Sequence, residues 1–195
     1  MSHDQYRGDS LQKNAARLQA YGKLSRQSLY HQYHIVIAGT CGDIHALIEL
    51  GVPREHIIAC DVLGSSRKLA RAMGVIVPPG EAGEDIRACV AWAVEVYGKK
   101  IGSINVDLCM SMLGGVPILQ EVTLHVQHLN CPIFFTCRRG RDKVIANKPG
   151  EAGIGKKREA FFWRHMSHMN AAEWINYQSW TKTSIGSAMS LAILS

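Results

Sequence analysis

The fold of this chain is decided by His34–Val62, whose sequence is HIVIAGTCGDIHALIELGVPREHIIACDV. It begins with a short apolar run, Ile35–Ile37, whose β-branched residues are typical of a strand buried on both faces. A turn of small residues follows at 39–42, and apolar residues then recur at helical spacing until a glycine ends the pattern. A second apolar run, Ile57–Cys60, leads directly to Asp61. The order is therefore strand, small-residue turn, helix, strand and acid.

This order of elements suits the binding of an adenosine-containing cofactor. Small residues let the backbone approach a ligand closely, and the start of a helix offers N–H groups without intrahelical partners. Asp61 follows Gly42 by 19 residues and lies at the predicted tip of the second strand, where its carboxylate can accept both hydroxyls of a ribose. We therefore expect the turn and Asp61 to hold the adenosine part of a cofactor.

The spacing of the glycines distinguishes between cofactors. A dinucleotide site would show G-x-G-x-x-G, which the turn lacks, and the sequence contains no G-x-x-x-x-G-K-[ST] phosphate loop. The Ala-Gly-Thr-Cys-Gly turn and the later Asp61 instead resemble the cofactor motif of class I S-adenosylmethionine-dependent methyltransferases. The resemblance implies that S-adenosylmethionine is bound by Ala38, Gly39, Thr40, Cys41, Gly42, Asp61 and Val62. A nicotinamide-dependent oxidoreductase stays a less favoured alternative.

Two positions depart from the usual methyltransferase motif. The family usually carries an acid near the end of the first strand, where it helps to place the methionine end of the cofactor, but this chain has Val36 and Ile37. It also usually carries a glycine where this chain has Cys41. Methyl transfer is therefore one hypothesis, and its alternative is a protein of the same fold that binds cofactor or nucleic acid without methyl transfer.

Composition indicates one α/β domain in a reducing compartment. With 195 residues and 47% hydrophobic content, the chain is close to the minimum for a doubly wound domain. Its six cysteines occur singly, as expected for reduced thiols of a cytoplasmic protein. No apolar stretch is long enough for membrane insertion, so we expect no membrane segment. His125 and His128 lack a carboxylate or cysteine partner at metal-binding spacing, so we expect no metal site either.

The order of later elements predicts a doubly wound, mostly parallel sheet between two helical layers. Further strands are expected at 75–77, 101–106 and 132–136, followed by an antiparallel hairpin formed by 174–180 and 187–194. Five parallel strands and a terminal hairpin are the layout of class I methyltransferases. The C-terminal segment also resembles the tail of small methyltransferase-like proteins encoded by phages.

The residues before the sheet are predicted to form an N-terminal helical extension, 1–33, ahead of the α/β domain at 34–195. A helix is expected over residues 9–28, with Leu11, Ala15 and Leu18 as its apolar stripe. It could act as a lid over the cleft, contact nucleic acid, or simply pack against the sheet edge.

Two acids on the later elements are candidate site residues. Asp107 follows the strand predicted beside the first one, so its carboxylate is expected at the ligand-binding edge as a catalytic or substrate-orienting group. The methyltransferase resemblance implies the same role. It also implies that Asp85, or its neighbour Glu84, contacts the adenine ring, although both acids equally suit the first turn of a helix.

The positive charge is concentrated at the two ends of the chain. The net charge is +6, and the lysines, arginines and acids give +3 for residues 1–34, −3 for 35–137 and +6 for 138–195. Arg138, Arg139 and Arg141 follow the last parallel strand, where they could hold phosphates of a nucleic acid substrate. The other interpretation is a solvated basic surface.

Overall fold

The computed structural model describes residues 11–129, 131–138, 160–162, 164–166, 173–179 and 187–194. The helices are α1 (Leu11–Tyr21), α2 (Arg26–His31), α3 (Gly42–Glu49), α4 (Gly64–Ala72), α5 (Ile86–Tyr97) and α6 (Met112–Val126). The strands are β1 (Tyr33–Ile37), β2 (Ile57–Cys60), β3 (Ile101–Ser111), β4 (Ile133–Arg138), β5 (Glu173–Ser179) and β6 (Ser187–Leu194). No helix in these ranges has the length and apolar character needed to cross a membrane.

The strands form one sheet in the order β2-β1-β3-β4-β6-β5. The first four strands are parallel to one another, whereas β6 runs antiparallel to both β4 and β5. The chain between β5 and β6 lies outside the described residues. Because β1 lies between β2 and β3, the carboxyl ends of these three strands meet at one edge, which is where ligands bind in such sheets.

The sheet is covered by helices on both faces. Neighbouring residues of a strand point to opposite faces, and accordingly Ile35 packs in an apolar cluster with residues of α5 and α6. Val36 packs in a second cluster with residues of α1 and α3. The predicted fold class, a doubly wound and mostly parallel sheet in three layers, is confirmed for this parallel part.

Local sequence signals predicted some elements correctly and others not, and the strand predicted at 101–106 extends to Ser111 as β3. The helix start that the sequence allowed at Asp85 is the start of α5, where Asp85 accepts the Arg87 N–H at 2.7 Å, and Gly98 ends the helix with a positive φ of 54°. The strand predicted at 75–77 is reduced to one parallel bridge between Ile58 and Ile76. The physical reason is that the next residue, Pro78, lacks an N–H with which to continue the ladder.

The N-terminal helix differs from the prediction. Instead of one helix over 9–28, α1 ends at Tyr21, and Ser25 begins α2 by accepting the Ser28 N–H at 3.0 Å. The predicted stripe is wrong at Leu11, which is 89% exposed, and at Ala15, which is also exposed, whereas Leu18 is partly buried against the second apolar cluster. The side of α1 that faces α3 and β5 carries the buried residues Ala16, Arg17, Ala20 and Tyr21.

A histidine is buried where β1 meets β3. His34 is fully buried, with Nδ1 2.8 Å from the hydroxyl oxygen of Ser103 and Nε2 3.2 Å from the carbonyl oxygen of Ser28. Burial disfavours the charged ring and lowers the pKa of His34 to about 4. The folded protein therefore holds this ring in its neutral form at physiological pH.

Because of this lowered pKa, the free energy of unfolding decreases as the pH decreases. Below about pH 6.5 the unfolded chain binds a proton on His34, whereas the folded chain does so only near pH 4, so acid favours unfolding through this window. We expect His34→Gln to lose about 2 kcal/mol less free energy of unfolding than the wild-type protein between pH 7 and pH 5. Urea unfolding at several pH values measures this difference. The exposed His45→Gln is the control, and a His34→Gln curve parallel to the wild type would contradict the assignment.

Candidate active site

The turn after β1 keeps a glycine-type backbone at a residue that is not glycine. Gly39 and Cys41 have positive φ angles of 48° and 64°, and the Cys41 N–H donates to the Ala38 carbonyl at 2.6 Å to close the turn. This left-handed conformation favours glycine. The backbone path expected of the methyltransferase motif is therefore present although Cys41 stands at a usual glycine position, and its side chain is fully buried.

Asp61 joins the tip of β2 to this turn. Its Oδ2 atom accepts the Gly39 N–H at 2.7 Å, and its Oδ1 atom accepts the Leu63 N–H at 2.8 Å. Each carboxylate oxygen has two acceptor positions, so both can take a further hydrogen bond from a ribose hydroxyl. Beside it, the apolar side chain of Val62 is 77% exposed. These residues fit the adenosyl part of S-adenosylmethionine.

Arg67, in the first turns of α4, was missed by the sequence reasoning. Its Nη1 atom donates to the carbonyl oxygens of Asp61 at 2.6 Å and Val62 at 3.0 Å, and its Nη2 atom lies 2.8 Å from Glu84 Oε1. The guanidinium thereby fastens the tip of β2 to the segment before α5. Nothing in the local sequence distinguishes this arginine from the other basic residues of α4.

The geometry gives Asp85 the role of helix cap. Its Oδ1 atom accepts the backbone N–H groups of Arg87 and Ala88, and its Oδ2 atom lies 2.8 Å from Arg87 Nη2. The hydrogen bond from Arg87 is the main reason that the pKa of Asp85 is lowered. This is the helix-start role that the sequence also allowed, and the contact with adenine stays a prediction.

Asp107 lies on β3 opposite Thr136 of β4, at the ligand-binding edge of the sheet. The next described pair is Ser111 with Arg138, so β3 has four steps where β4 has two, and the register shifts between these pairs. Irregular strands of this kind are common next to active sites because they redirect side chains. Asp107 is the last paired residue before this shift, and its catalytic role stays a prediction.

The carboxylate of Asp107 contacts two basic residues of α1. Lys13 Nζ is 2.8 Å from Asp107 Oδ2, and Arg17 Nη2 is 3.7 Å from the same oxygen. Lys13 and Arg17 are four residues apart and therefore lie on the same face of the helix. The sequence reasoning missed both residues, although this spacing was a signal that could have found them.

A further acid, Asp43, is buried in the first turn of α3. Its Oδ2 atom is 3.0 Å from Arg17 Nη2, and its Oδ1 atom accepts the Tyr21 hydroxyl at 3.0 Å and the Asn105 amide at 2.6 Å. Burial raises the pKa of Asp43, against the opposing effect of the Arg17 guanidinium. With an exposure of 2%, Asp43 is a part of the framework and is not placed to contact a ligand.

The predicted phosphate-binding arginines are only partly covered by the structure. Arg138 is the last residue of β4 and pairs with Ser111 and Met189 through the backbone. Its side chain, with all of Arg139 and Arg141, lies outside the described residues. Among the residues that are described, no group of three or more His, Cys, Asp or Glu side chains could hold a metal ion.

Several solved structures resemble this chain. The O-methyltransferase from Bacillus cereus in complex with SAH has a TM-score of 0.56 and 11% identity, covering 97% of this chain and 84% of its own. Aeropyrum pernix fibrillarin with natively bound S-adenosyl-L-methionine has a TM-score of 0.53 and 10% identity, covering 91% of this chain and 73% of its own. The SAM-dependent methyltransferase from Anabaena variabilis has a TM-score of 0.52 and 11% identity, covering 84% of this chain and 76% of its own.

The chain has the class I S-adenosylmethionine-dependent methyltransferase fold. No protein-family model matches the sequence, and no curated protein matches it either. Because each structural neighbour shares about a tenth of its residues with this chain, the likeness establishes the fold and leaves the activity to be argued from the site.

The hydrogen bonds of Asp61 predict a loss of stability that does not depend on a cofactor. We expect Asp61→Ala to lower the free energy of unfolding by about 2–3 kcal/mol, because two backbone N–H groups lose their acceptor. Asp61→Asn should lose about half as much, since its one carbonyl oxygen can still accept one of them. Urea unfolding near neutral pH measures both variants. Wild-type stability in Asp61→Ala would show that these bonds do not hold the turn.

Proposed function

We propose that this chain binds S-adenosylmethionine and transfers its methyl group to a nucleic acid. The observation that carries the proposal is the hydrogen bond between Asp61 and the Gly39 N–H, at the edge where β1 and β2 end. It joins Asp61, the acid that would bind the ribose, to the small-residue turn within a methyltransferase fold. The adenosyl group would lie across these two strand ends.

The cofactor would be bound mainly by backbone and by one carboxylate. Gly39 and Thr40 are exposed at the turn, Asp61 would accept the ribose hydroxyls, and Val62 would cover one face of the adenine. When bound, S-adenosylmethionine supplies a methyl group that is already activated for transfer. The protein then has to hold the acceptor in line with that methyl group and exclude water.

Asp107 would orient the acceptor. It lies on β3, beside β1, and the end of the cofactor that carries the methyl group would lie next to it. Its carboxylate can accept a hydrogen bond or a proton from the acceptor group. Lys13, whose Nζ atom is 2.8 Å away, would keep this carboxylate in a fixed orientation.

The choice of nucleic acid rests on charge. Residues 138–195 contain ten lysines and arginines and only four acids. The segment begins where β4 reaches the same edge of the sheet as Asp107. Arg138, Arg139 and Arg141 would hold the phosphates of the acceptor there. A polyanion is the partner that such a distribution favours.

A second candidate function is cofactor or nucleic acid binding without methyl transfer. The first strand ends in Val36 and Ile37, which offer no carboxylate for the methionine end of the cofactor. In addition, Asp107 is already engaged with Lys13 and Arg17. Calorimetry with S-adenosylmethionine and a transfer assay on mixed nucleic acids separate the two functions, since binding without transfer supports the second.

The proposal predicts that Asp61 governs cofactor affinity. We expect the wild-type protein to bind S-adenosylmethionine and Asp61→Ala to bind it more weakly by about 1.5–3 kcal/mol, through loss of charge-assisted hydrogen bonds. Isothermal titration calorimetry measures the affinity, with circular dichroism to verify folding. Unchanged affinity would remove Asp61 from the site. Binding of a nicotinamide dinucleotide that survives excess S-adenosylmethionine would favour an oxidoreductase instead.

A second variant distinguishes the residue that would act on the acceptor from the residues that would bind the cofactor. Asp107→Asn keeps the shape of the side chain but removes its charge, so it should still bind the cofactor while slowing methyl transfer by about 10²-fold or more. Transfer of a labelled methyl group to mixed RNA and DNA measures the rate. Full activity in this variant would refute the proposed role of Asp107.

A further inference from the structure

One arginine contacts an acid on each side of the proposed site. Arg17 Nη2 lies 3.0 Å from Asp43 Oδ2 and 3.7 Å from Asp107 Oδ2. Asp43 belongs to the first turn of α3, immediately after the small-residue turn that would bind the cofactor. Asp107 lies on β3, where the acceptor would bind. We propose that Arg17 is a positioning residue that couples cofactor binding at the turn to the orientation of Asp107. This inference rests on the proposed function.

The contacts of Asp43 leave it little freedom to move independently of its neighbours. Asn105 Nδ2 donates to both Asp43 Oδ1, at 2.6 Å, and the Tyr21 hydroxyl, at 2.9 Å. Asn105 precedes Asp107 by two residues, so the two side chains lie on the same face of β3. A shift of the first turn of α3 is therefore transmitted both through Arg17 and along the strand.

The chemistry of Arg17 suits a connection between two carboxylates. Its guanidinium has five N–H donors in a rigid plane, so it can serve two acids at once, whereas a lysine ammonium is a compact charge on a flexible stem. Arg17 is 5% exposed and Asp43 is 2% exposed, so solvent does little to weaken their attraction. Arg17 and Lys13 lie on one face of α1. Because both contact the acids at the sheet edge, α1 is the element expected to respond when the cofactor binds.

Coupling of this kind is reciprocal. If S-adenosylmethionine orders the turn and hence Asp43, then Arg17 is held more firmly and α1 opens less often. An ion pair that only stabilises the fold would protect α1 equally with and without the cofactor. The two roles therefore differ in whether the stability of α1 depends on S-adenosylmethionine.

Hydrogen exchange measured by mass spectrometry distinguishes them. The full chain and its variants are compared with and without saturating S-adenosylmethionine, following peptides that cover residues 13–21 and 39–47. In the wild-type protein we expect the cofactor to slow exchange in both segments, by roughly five-fold or more in α1, the lower end of ordinary coupling between sites.

Two variants should break the connection while the turn still responds. Arg17→Lys keeps the charge but loses the planar guanidinium, and Asp43→Asn keeps the shape but loses the charge. In both, S-adenosylmethionine should slow exchange at 39–47 and leave 13–21 nearly unchanged. Arg54→Lys is the control, because Arg54 is exposed and bonds the Met73 carbonyl at 2.7 Å, away from the ligand-binding edge. It should respond as the wild type does.

Each other outcome decides against the coupling. If the turn of the wild-type protein responds and α1 does not, the coupling is absent but cofactor binding stands. If α1 responds equally in wild type and Arg17→Lys, Arg17 does not carry the effect. If calorimetry finds no binding and neither segment responds, the proposed function fails first and this inference fails with it.

Discussion

Two carboxylates lie in the interior at the carboxyl edge of the sheet, and their burial is the constraint on which the site depends. Asp43 is 2% exposed, and the side chain of Asp107 is 7% exposed. Taking such groups out of water costs several kcal/mol each unless cations and hydrogen-bond donors replace the water. Lys13 and Arg17 of α1 supply the cations, and Tyr21 with Asn105 supplies donors. The helix that precedes the sheet is therefore part of the site's electrostatic framework.

The order of the central strands explains how the remaining parts meet. With β2, β1 and β3 side by side, the ends of three strands present Asp61, the small-residue turn and Asp107 in sequence along one edge. Asp61 bonds the turn on one side of β1, while Asp43 and Asn105 bond α3 to β3 on the other. The turn is thus held from both neighbouring strands by hydrogen bonds to carboxylates, which is a firmer support than loop packing alone.

Signals that act within a few residues were enough to predict much of this structure. Asp85 begins α5, as an acid suited to a first helical turn should, and the apolar runs of β1 and β2 lie where their composition indicates. The buried face of α1 could not be found in this way, because apolar periodicity has no means of detecting a buried Arg17. The partners that make its burial possible, Asp43 and Asp107, are distant in sequence. Asp61 was predicted from its spacing, whereas the Arg67 contacts depend on the tertiary fold.

Of the two departures from the methyltransferase motif, only the missing acid at the end of β1 removes a side-chain group that the cofactor would need. At the turn, Cys41 adopts the backbone conformation of a glycine and Asp61 accepts the Gly39 N–H, as the proposed adenosyl site would need. At the methionine end, β1 finishes in Ile37, and the nearby Asp43 is too fully bonded and buried to take the place of the usual acid. Affinity for the adenosyl group and placement of the methyl group are therefore separate questions in this chain. Under the proposed function, the second would decide whether bound cofactor reacts, and it would depend on how α1 holds Asp107.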